Sequence, residues 1–242
     1  MLEKWVGLTF SFFLAMGLLQ VRMGHASLSL PKPSFDGKVS VEKAIKERRT
    51  IRDFKERTLS LAYLSQLLWA AQGITDPTIG RRAAPSGGAL YPLDVYVLIG
   101  ENGVEKMEAG IYHYLPKEHS VLLISKGDRR KEMASASLGQ MWMATATVIF
   151  IITAEYKRTT WKYGERGIRY ALIEVGHVGQ NLFLQAEALG LGAGIVGAFN
   201  DLEVSKVAGL PPKDEPLLIM PVGYNKQKRK PPHPHHQGKG VD

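Results

Sequence analysis

The spacing of apolar residues predicts amphipathic helices at several places in the chain. Ser40 is a typical N-cap residue, and the apolar residues that follow it recur at helical spacing. Ser60 precedes a second such run, which Gly73 ends. The same pattern predicts three more helices: a short one near 129–138, a long one from about 168 to 189, and one after Asp201.

Uninterrupted apolar runs, rich in β-branched residues, predict the strands. They lie at Val95–Ile99, Ile111–Leu115, Val121–Ile124, Thr147–Thr153 and Leu217–Val222. Some of these strands follow one another directly and others are separated by helices, which differs from strict βαβ alternation. The sequence therefore predicts an α+β fold, in which a sheet is layered with helices, in one domain spanning residues 40–230.

The first 26 residues have the three-part layout of a secretory signal. Lys4 precedes an apolar run from Trp5 to Leu19, and Gly24-His25-Ala26 offers small residues for cleavage. We therefore predict that the protein is exported, with residues 1–26 as a cleaved signal peptide. Two alternatives stay open: the run is retained as a membrane anchor, or the protein is cytoplasmic.

Composition and charge narrow the class of protein. The chain has 242 residues, no cysteine and a formal net charge of +8. The absence of cysteine excludes disulfide scaffolds, thiolate metal sites and cysteine nucleophiles.

Five basic residues against one acidic residue give residues 225–242 a net charge of +4, and the His/Pro-rich tail over 231–242 is predicted to be disordered. This tail has no aromatic residues between its basic ones, so we expect no nucleic-acid partner. Residues 27–39, which contain two prolines and a glycine, are predicted to be a linker.

A cluster of arginines follows the first predicted helix. Arg48, Arg49 and Arg52 place three guanidinium groups around Thr50 within five residues. Guanidinium groups are planar forks of hydrogen-bond donors that suit phosphate and other anions. The cluster therefore predicts an anion site, and an ordinary solvated basic surface is the alternative interpretation.

Two glycine-rich segments are candidates for close contact between the backbone and a ligand. Pro85-Ser86-Gly87-Gly88 leads into a strand, and Gly190–Asp201 follows the long helix. The first lacks the Gly-Lys-Ser/Thr of a phosphate-binding P-loop. The second comes after a helix, whereas a dinucleotide-binding fingerprint lies between a strand and a helix. What remains is a loop whose backbone amides could donate hydrogen bonds to ring heteroatoms.

Lys162 and Tyr163 stand next to each other just before the long helix. An ammonium group beside a phenol stabilises the phenolate, which makes Tyr163 a candidate acid/base and Lys162 its assistant. On the helix itself, Glu174, His177 and Asn181 share one face. A Glu-x-x-His pair can ligate a metal, but no second copy of the motif supplies further ligands. We therefore predict no metal site and expect these three residues to be polar groups satisfied in a buried interface.

Taken in order, these segments resemble the nitroreductase-type FMN flavoprotein family, and most closely its SagB/ThcOx-type dehydrogenase branch. The segments that carry the resemblance are Arg48–Phe54, Pro85–Pro92, Lys162–Arg166 with the Glu174–Asn181 stretch, Gly190–Asp201 and Pro221–Tyr224. The resemblance implies a nitroreductase-like fold, with a mostly antiparallel sheet between helices. It also implies an intertwined homodimer with two FMN sites at the interface.

The resemblance assigns roles to individual residues. The implied cofactor-binding residues are Arg48, Arg49, Thr50 and Arg52 along the phosphate, ribityl chain and pyrimidine edge; Pro85, Ser86 and Gly87 from the partner subunit; Gly194, Ile195 and Val196, whose backbone amides face flavin N5; and Arg229, or Lys228 beside it, at the phosphate. Lys162 and Tyr163 resemble the Lys-Tyr pair at the active site of azoline-oxidising members. In that chemistry a base removes a proton from the substrate while hydride passes to the flavin.

The implied function is that of an FMN-dependent oxidoreductase. It would move a hydride between flavin N5 and a small organic or peptide substrate by ping-pong chemistry. NAD(P)H is the expected electron donor if the protein is cytoplasmic. An exported or anchored protein meets essentially no NAD(P)H, so a quinol is then the expected donor. A non-catalytic flavin-binding or partner-binding protein on the same fold is the alternative.

Overall fold

The computed structural model describes residues 27–226. The helices in this range are α1 (Val41–Glu47), α2 (Leu61–Gln72), α3 (Arg130–Ala136), α4 (Lys157–Tyr163), α5 (Arg166–Ala188) and α6 (Asp201–Ala208). The strands are β1 (Leu28–Ser29), β2 (Phe54–Lys55), β3 (Ile74–Asp76), β4 (Arg81–Arg82), β5 (Leu93–Ile99), β6 (Gly110–Leu115), β7 (Ser120–Lys126), β8 (Val148–Ala154), β9 (Gly192–Ala193) and β10 (Glu215–Asn225).

The helix boundaries follow the signals in the sequence. Ser40 and Ser60 cap α1 and α2, because each hydroxyl accepts a hydrogen bond of 3.2 Å from the backbone N–H three residues later. Helices α3, α5 and α6 lie within two residues of their predicted positions. Helix α4 was not predicted, and two residues lie between it and α5. Gly164 separates them, since its φ of +56° is a conformation that interrupts a helix.

The main sheet has the strand order β1-β7-β6-β5-β8-β10-β2, with β9 paired to β10, and every pair of strands in it is antiparallel. The α+β fold predicted from the sequence is therefore confirmed, as is the mostly antiparallel sheet that the resemblance implies. Strands β5 and β10 flank β8 at the centre of the sheet. The segments of the predicted site lie beside this central part or on the helices that cover it.

Strand β8 shows why its sequence is apolar without alternation. Every residue of Val148–Ala154 is buried. Val148, Phe150 and Ile152 belong to the apolar core that includes α2 and α5, whereas Ile149 and Ile151 belong to the core that includes α3 and α6. Because successive side chains of a strand point to opposite faces, a strand covered on both faces is apolar on both, and Thr153 is the one polar residue of β8.

The segment predicted to be a linker packs against the domain over its first part. Leu28–Ser29 forms an edge strand on β7, and Leu30 is buried. The hydroxyl of Ser65 donates to the carbonyl of Pro31 over 2.6 Å. The description of residues 27–39 as a linker is therefore corrected for residues 28–31, because backbone pairing and apolar burial hold them on the sheet edge.

Several predictions fall on other parts of the chain. The signal peptide or anchor over 1–26, the tail over 231–242 and the phosphate contact of Arg229 all lie outside the described residues. Within residues 27–226, no helix is both long and apolar enough to cross a bilayer.

Candidate functional site

The predicted acid/base pair lies directly against the glycine-rich loop before β5. Helix α4 ends at Tyr163, whose ring packs edge-on against that of Tyr170 with 5.1 Å between centroids. The Lys162 ammonium lies 5.3 Å from the centre of the Tyr163 ring. Gly88 has a φ of +65°, and a Cβ at this position would collide with the Tyr163 hydroxyl oxygen. The structure therefore brings together two segments that are about seventy-five residues apart in the sequence.

The loop that carries Pro85, Ser86 and Gly87 is held in place from both sides. The Tyr91 amide donates to the Ser86 hydroxyl oxygen over 2.9 Å, which closes the loop on itself. Gly87 rests against the Tyr170 side chain, where a Cβ would come within 3.3 Å of the ring. The Arg158 guanidinium donates to the Tyr91 carbonyl over 3.3 Å and ties the loop's far end to α4.

Arg158 belongs to a network of charges beside this loop. It donates to Asp94 over 2.6 Å and to Glu155 over 2.8 Å, and Lys213 donates to Glu155 over 2.8 Å. Burial raises the pKa of Asp94, but hydrogen bonds from His113 and Arg158 outweigh it and hold that pKa below its usual value. The carboxylates of Asp94, Glu155 and Asp214 come within 4.8 Å of one another. Arg158 and Lys213 pair with Asp94 and Glu155, and the Tyr96 hydroxyl donates to Asp214 over 2.9 Å. The cluster therefore fits an ion-pair network that fixes the loop better than a metal site.

The arginine cluster lies at the opposite end of α5. The Arg48 guanidinium stacks over the Phe183 ring at 4.9 Å, and that of Arg52 lies 5.7 Å from the Trp142 ring. Arg49 turns back to donate to the carbonyls of Lys46 and Arg48 (2.8 and 2.7 Å). Within residues 27–226, none of the three arginines forms an ion pair. Arg48 and Arg52 therefore present uncompensated charge, while the guanidinium of Arg49 is partly used within the chain.

Thr50 joins the arginine cluster to the second glycine-rich segment. It forms an isolated parallel bridge with Ala193 of β9, and the Ile51 amide donates to the Ala193 carbonyl over 2.8 Å. Backbone pairing thus fixes the two predicted cofactor segments side by side, although they are about one hundred and forty residues apart in sequence.

The loop after β9 differs from the expectation in one respect. The resemblance implies that the amides of Gly194, Ile195 and Val196 all face the flavin. The Gly194 amide instead donates to the Pro221 carbonyl (2.8 Å), and the Val196 amide donates to the Ile219 carbonyl (2.9 Å). Both are consumed by pairing with β10. Across the described part of the chain the Ile195 amide has no such partner, and its residue is exposed, so this amide is the one left to bind a ligand.

Sequence reasoning missed Trp142 and Tyr170, which shape the two ends of the site. Trp142 packs against Gly194 so closely that a Cβ there would lie 2.6 Å from the indole ring. In the sequence Trp142 sits in an ordinary apolar run, and Tyr170 is one of several aromatic residues in the chain. Nothing local marks either residue, because the partners that give them a role are distant along the chain.

The three polar residues predicted to share one face of α5 have different surroundings in the structure. Glu174 is buried and Asn181 donates to the Ala70 carbonyl over 3.0 Å, but His177 is exposed. Within a single chain, the expectation that all three are satisfied in a buried interface does not hold for His177. It fails partly for Glu174 too, because its Oε2 has no hydrogen-bond partner among the described residues.

The two halves of the predicted site lie far apart within one chain. Tyr170 and Phe183, which mark the two halves on α5, are separated by thirteen residues, or about 20 Å of helix. Between them α5 exposes an apolar flank, since Leu172 and Ile173 are each about half exposed (50% and 51%).

Comparisons with known proteins place this chain in a family. The family model described as "Nitroreductase family" matches residues 45–224. MJ1384 of Methanocaldococcus jannaschii, named as a nitroreductase, is 44% identical over 185 residues, covering 76% of this chain and 91% of its own. The Microcin B17-processing protein McbC of Escherichia coli is 30% identical over 167 residues, covering 67% of this chain and 61% of its own. A crystal structure from Ralstonia eutropha JMP134, described as a nitroreductase, superposes with a TM-score of 0.73 at 26% identity, covering 84% of this chain and 90% of that one.

The chain belongs to the nitroreductase family. The resemblance drawn from its sequence is confirmed, and the match to McbC agrees with the SagB/ThcOx-type branch. Its fold is the nitroreductase-like fold. The family assignment makes the chain an oxidoreductase-like protein.

Proposed function

We propose that the chain is an FMN-dependent oxidoreductase that works as a homodimer. The observation that carries the proposal is the division of the predicted site between the two ends of α5. Ser86–Gly88 and Lys162–Tyr163 lie at one end, and Arg48–Arg52 with the loop after β9 lies at the other. About 20 Å of helix separates them, so the two halves meet only when the α5 helices of two chains run antiparallel.

The exposed flank of α5 is suited to such an arrangement. Leu172 and Ile173 are apolar and half exposed, and Gly176 follows them one turn later with open space where a side chain would be. A glycine beside two aliphatic residues allows another helix to approach closely and bury the apolar side chains. Burying them in a subunit interface accounts for apolar residues that the isolated chain leaves in water.

The residues at the two ends fit FMN. Arg48 and Arg52 offer guanidinium groups that no carboxylate in residues 27–226 neutralises, which suits a phosphate and an electron-rich ring edge. The Ile195 amide offers a backbone donor. At Gly88 and Gly194 even a methyl group would collide with Tyr163 and Trp142, so these glycines allow the two aromatic side chains to pack directly against the loops.

Bound FMN supplies two-electron hydride chemistry, and the protein supplies orientation and proton transfer. Tyr163 holds a proton at its hydroxyl, beside the Gly88 backbone, where it exchanges that proton with a bound substrate. The Lys162 ammonium lies 5.3 Å from the centre of the Tyr163 ring and places a positive charge beside the acid/base candidate. Donor and acceptor occupy the same site in turn, which gives ping-pong kinetics.

The substrate class follows from the branch rather than from the geometry. The match to a microcin-processing protein supports a small organic or peptide substrate. We propose NAD(P)H as the donor for a cytoplasmic enzyme and a quinol for an exported or anchored one. A non-catalytic flavin protein on this fold is the alternative that turnover would exclude.

The test begins with the absorption spectrum of the purified protein after reconstitution with FMN, followed by anaerobic titration with NADPH, NADH and a quinol. A two-band flavin spectrum that one donor bleaches supports the proposal. No flavin after reconstitution would refute it, and a flavin that no donor and no substrate reduces would favour the non-catalytic alternative.

Variants test the individual roles. Arg48→Ala should retain about tenfold less FMN, as expected for loss of one charge-assisted hydrogen bond, whereas the matched Arg129→Ala at the start of α3 should retain it fully. Tyr163→Phe should keep FMN and lose about a hundredfold in turnover of a substrate that needs proton removal. Unchanged turnover would remove Tyr163 from the acid/base role.

The subunit arrangement is tested by Ile173→Glu, which places a charge on the exposed flank of α5. Sedimentation velocity should show a dimer for the unaltered chain and a monomer for the variant, and the monomer should fail to bind FMN. A variant that is monomeric and still binds FMN would show that one chain completes the site.

A further inference from the structure

Two cations near Tyr163 have no ion-pair partner in the described part of the chain. Lys162 lies in the last turn of α4, and Arg166 is the first residue of α5. Both are exposed, and neither forms an ion pair within residues 27–226. The proposed function gives Arg166 no role, so its free guanidinium group is available to a ligand.

The acidic residues nearest in the sequence do not neutralise this pair of cations. Glu155 is held by Arg158 and Lys213, each at 2.8 Å. Glu174 is buried eight residues beyond Arg166, or about 12 Å along the helix. Glu165 forms no ion pair with either neighbour in the described residues. The surface around the end of α4 and the start of α5 is therefore positively charged.

Helical spacing places Arg166 on the side of α5 that faces the candidate acid/base. Tyr170 follows it by one turn on the same face and packs edge-on against Tyr163, with 5.1 Å between the ring centroids. Lys162 approaches from α4, where a Cβ on Gly88 would lie 3.3 Å from its Nζ. Both cations therefore border the surface where Tyr163 meets the glycine-rich loop.

Arg166 also stands at one end of the proposed subunit interface. It precedes the half-exposed Ile173 by seven residues, or about two turns, and so shares its side of α5. When two α5 helices run antiparallel, this end is where the Tyr163 half of one chain meets the Arg48 half of the other. A guanidinium group at this position faces the molecule that binds in the composite site.

We infer that Arg166, together with Lys162, is a specificity residue that binds a carboxylate group of the substrate. The substrate is then an organic acid or a peptide that presents a carboxylate. The inference rests on the proposed function, which places the substrate at Tyr163. A guanidinium group donates two parallel hydrogen bonds to the two oxygens of a carboxylate, and an ammonium group adds a compact positive charge. Binding the carboxylate there holds the rest of the substrate beside the Tyr163 hydroxyl.

The first test is equilibrium dialysis of the FMN-reconstituted protein with 4-nitrobenzoate and 4-nitrobenzamide, which are alike in shape but differ in charge. The unaltered protein should bind the benzoate about tenfold more tightly, as expected for a hydrogen bond between charged groups. Arg166→Gln should lose most of this preference, and Arg166→Lys should keep part of it. Lys157→Gln removes an exposed cation from another face of α4 and should keep the full preference. No preference in the unaltered protein, or equal losses in Arg166→Gln and Lys157→Gln, overturns the inference.

Steady-state kinetics distinguish the substrate from the cofactor and the electron donor. In Arg166→Gln the KM for 4-nitrobenzoate should rise about tenfold with little change in kcat, because the lost contact is made before and during the reaction alike. The KM values for 4-nitrobenzamide and NADPH and the dissociation constant of FMN should stay unchanged. A change confined to NADPH or FMN would assign Arg166 to a phosphate group of the donor or the cofactor and overturn the inference.

The inference and the proposed function fail in different ways. A protein that binds no FMN refutes the proposed function, and FMN that no donor and no substrate reduces favours the non-catalytic alternative. The dialysis needs no turnover and can also be run on the protein as purified. There, a preference for 4-nitrobenzoate that depends on Arg166 supports the inference, and the absence of that preference overturns it.

Discussion

Gly194 provides the sharpest test of how the structure explains the sequence, because Gly194→Ala adds only one methyl group. That methyl group would lie 2.6 and 2.8 Å from two atoms of the Trp142 indole and 2.9 Å from the Ile51 carbonyl oxygen. Ordinary contacts are longer than 3.4 Å, so the loop or the indole must move. Overpacking of this kind costs about 1–3 kcal/mol. In a chain of this size each kcal/mol corresponds to about 2–4 °C in the melting temperature.

Urea and thermal unfolding of the protein without ligand measure this cost, and Gly197→Ala is the matched control. Gly197 lies three residues further along the same loop, and a Cβ there meets nothing within 4 Å. Gly197→Ala should therefore stabilise the protein by about 0.4–1 kcal/mol, through the loss of freedom in the unfolded chain. Trp142→Phe should recover part of the stability that Gly194→Ala loses, since the colliding indole atoms are removed. Equal effects of the two alanine substitutions would refute the reasoning.

Two further predictions concern the rest of the molecule. Gly88→Ala and Gly80→Ala should each lose about 1–2 kcal/mol of stability, since both glycines have φ near +70°. Only Gly88→Ala should also lower turnover, because its Cβ displaces Tyr163. Equal turnover of the two variants would contradict this prediction. Burial lowers the pKa of His119, which lies between the Tyr114 hydroxyl and the Pro31 carbonyl. The folded state therefore binds fewer protons than the unfolded state below about pH 6.5, and stability should fall on acidification with a slope of at most about 1.4 kcal/mol per pH unit. His119→Gln should remove that part of the slope, as measured by urea unfolding at a series of pH values, and an unchanged slope would count against it.

The helices and central strands could be predicted because their signals are local. Ser40 and Ser60 are N-caps, and each cap needs only a backbone N–H three residues away. The uninterrupted apolar run of β8 likewise indicates a strand that is covered on both faces. The short strand β1 could not be predicted in this way. Its place depends on pairing with β7, about ninety residues later, and the local prolines indicate a linker.

The same distinction between local signals and long-range contacts applies to the candidate site. The arginine cluster, the glycine-rich segments and the Lys-Tyr pair could be selected from the sequence, because their chemistry is carried by residue type and order. The sequence could not show which of these groups remain available to a ligand. Arg49 is turned back to the end of α1, and the Gly194 amide is consumed by the Pro221 carbonyl. These outcomes depend on how the folded backbone is arranged around each group.

The sequence by itself determined the fold class, the family and the residue types that the chemistry requires, since periodicity, caps and motif order are properties of short stretches. Only the tertiary structure placed Tyr163 against Gly88, Trp142 against Gly194 and the buried Glu174 beside the Gln72 amide. It also placed the two halves of the predicted site at opposite ends of α5. The physical reason is that close contacts, burial and the use of hydrogen-bonding groups depend on which segments the sheet and helices bring together, and no local pattern encodes those distances.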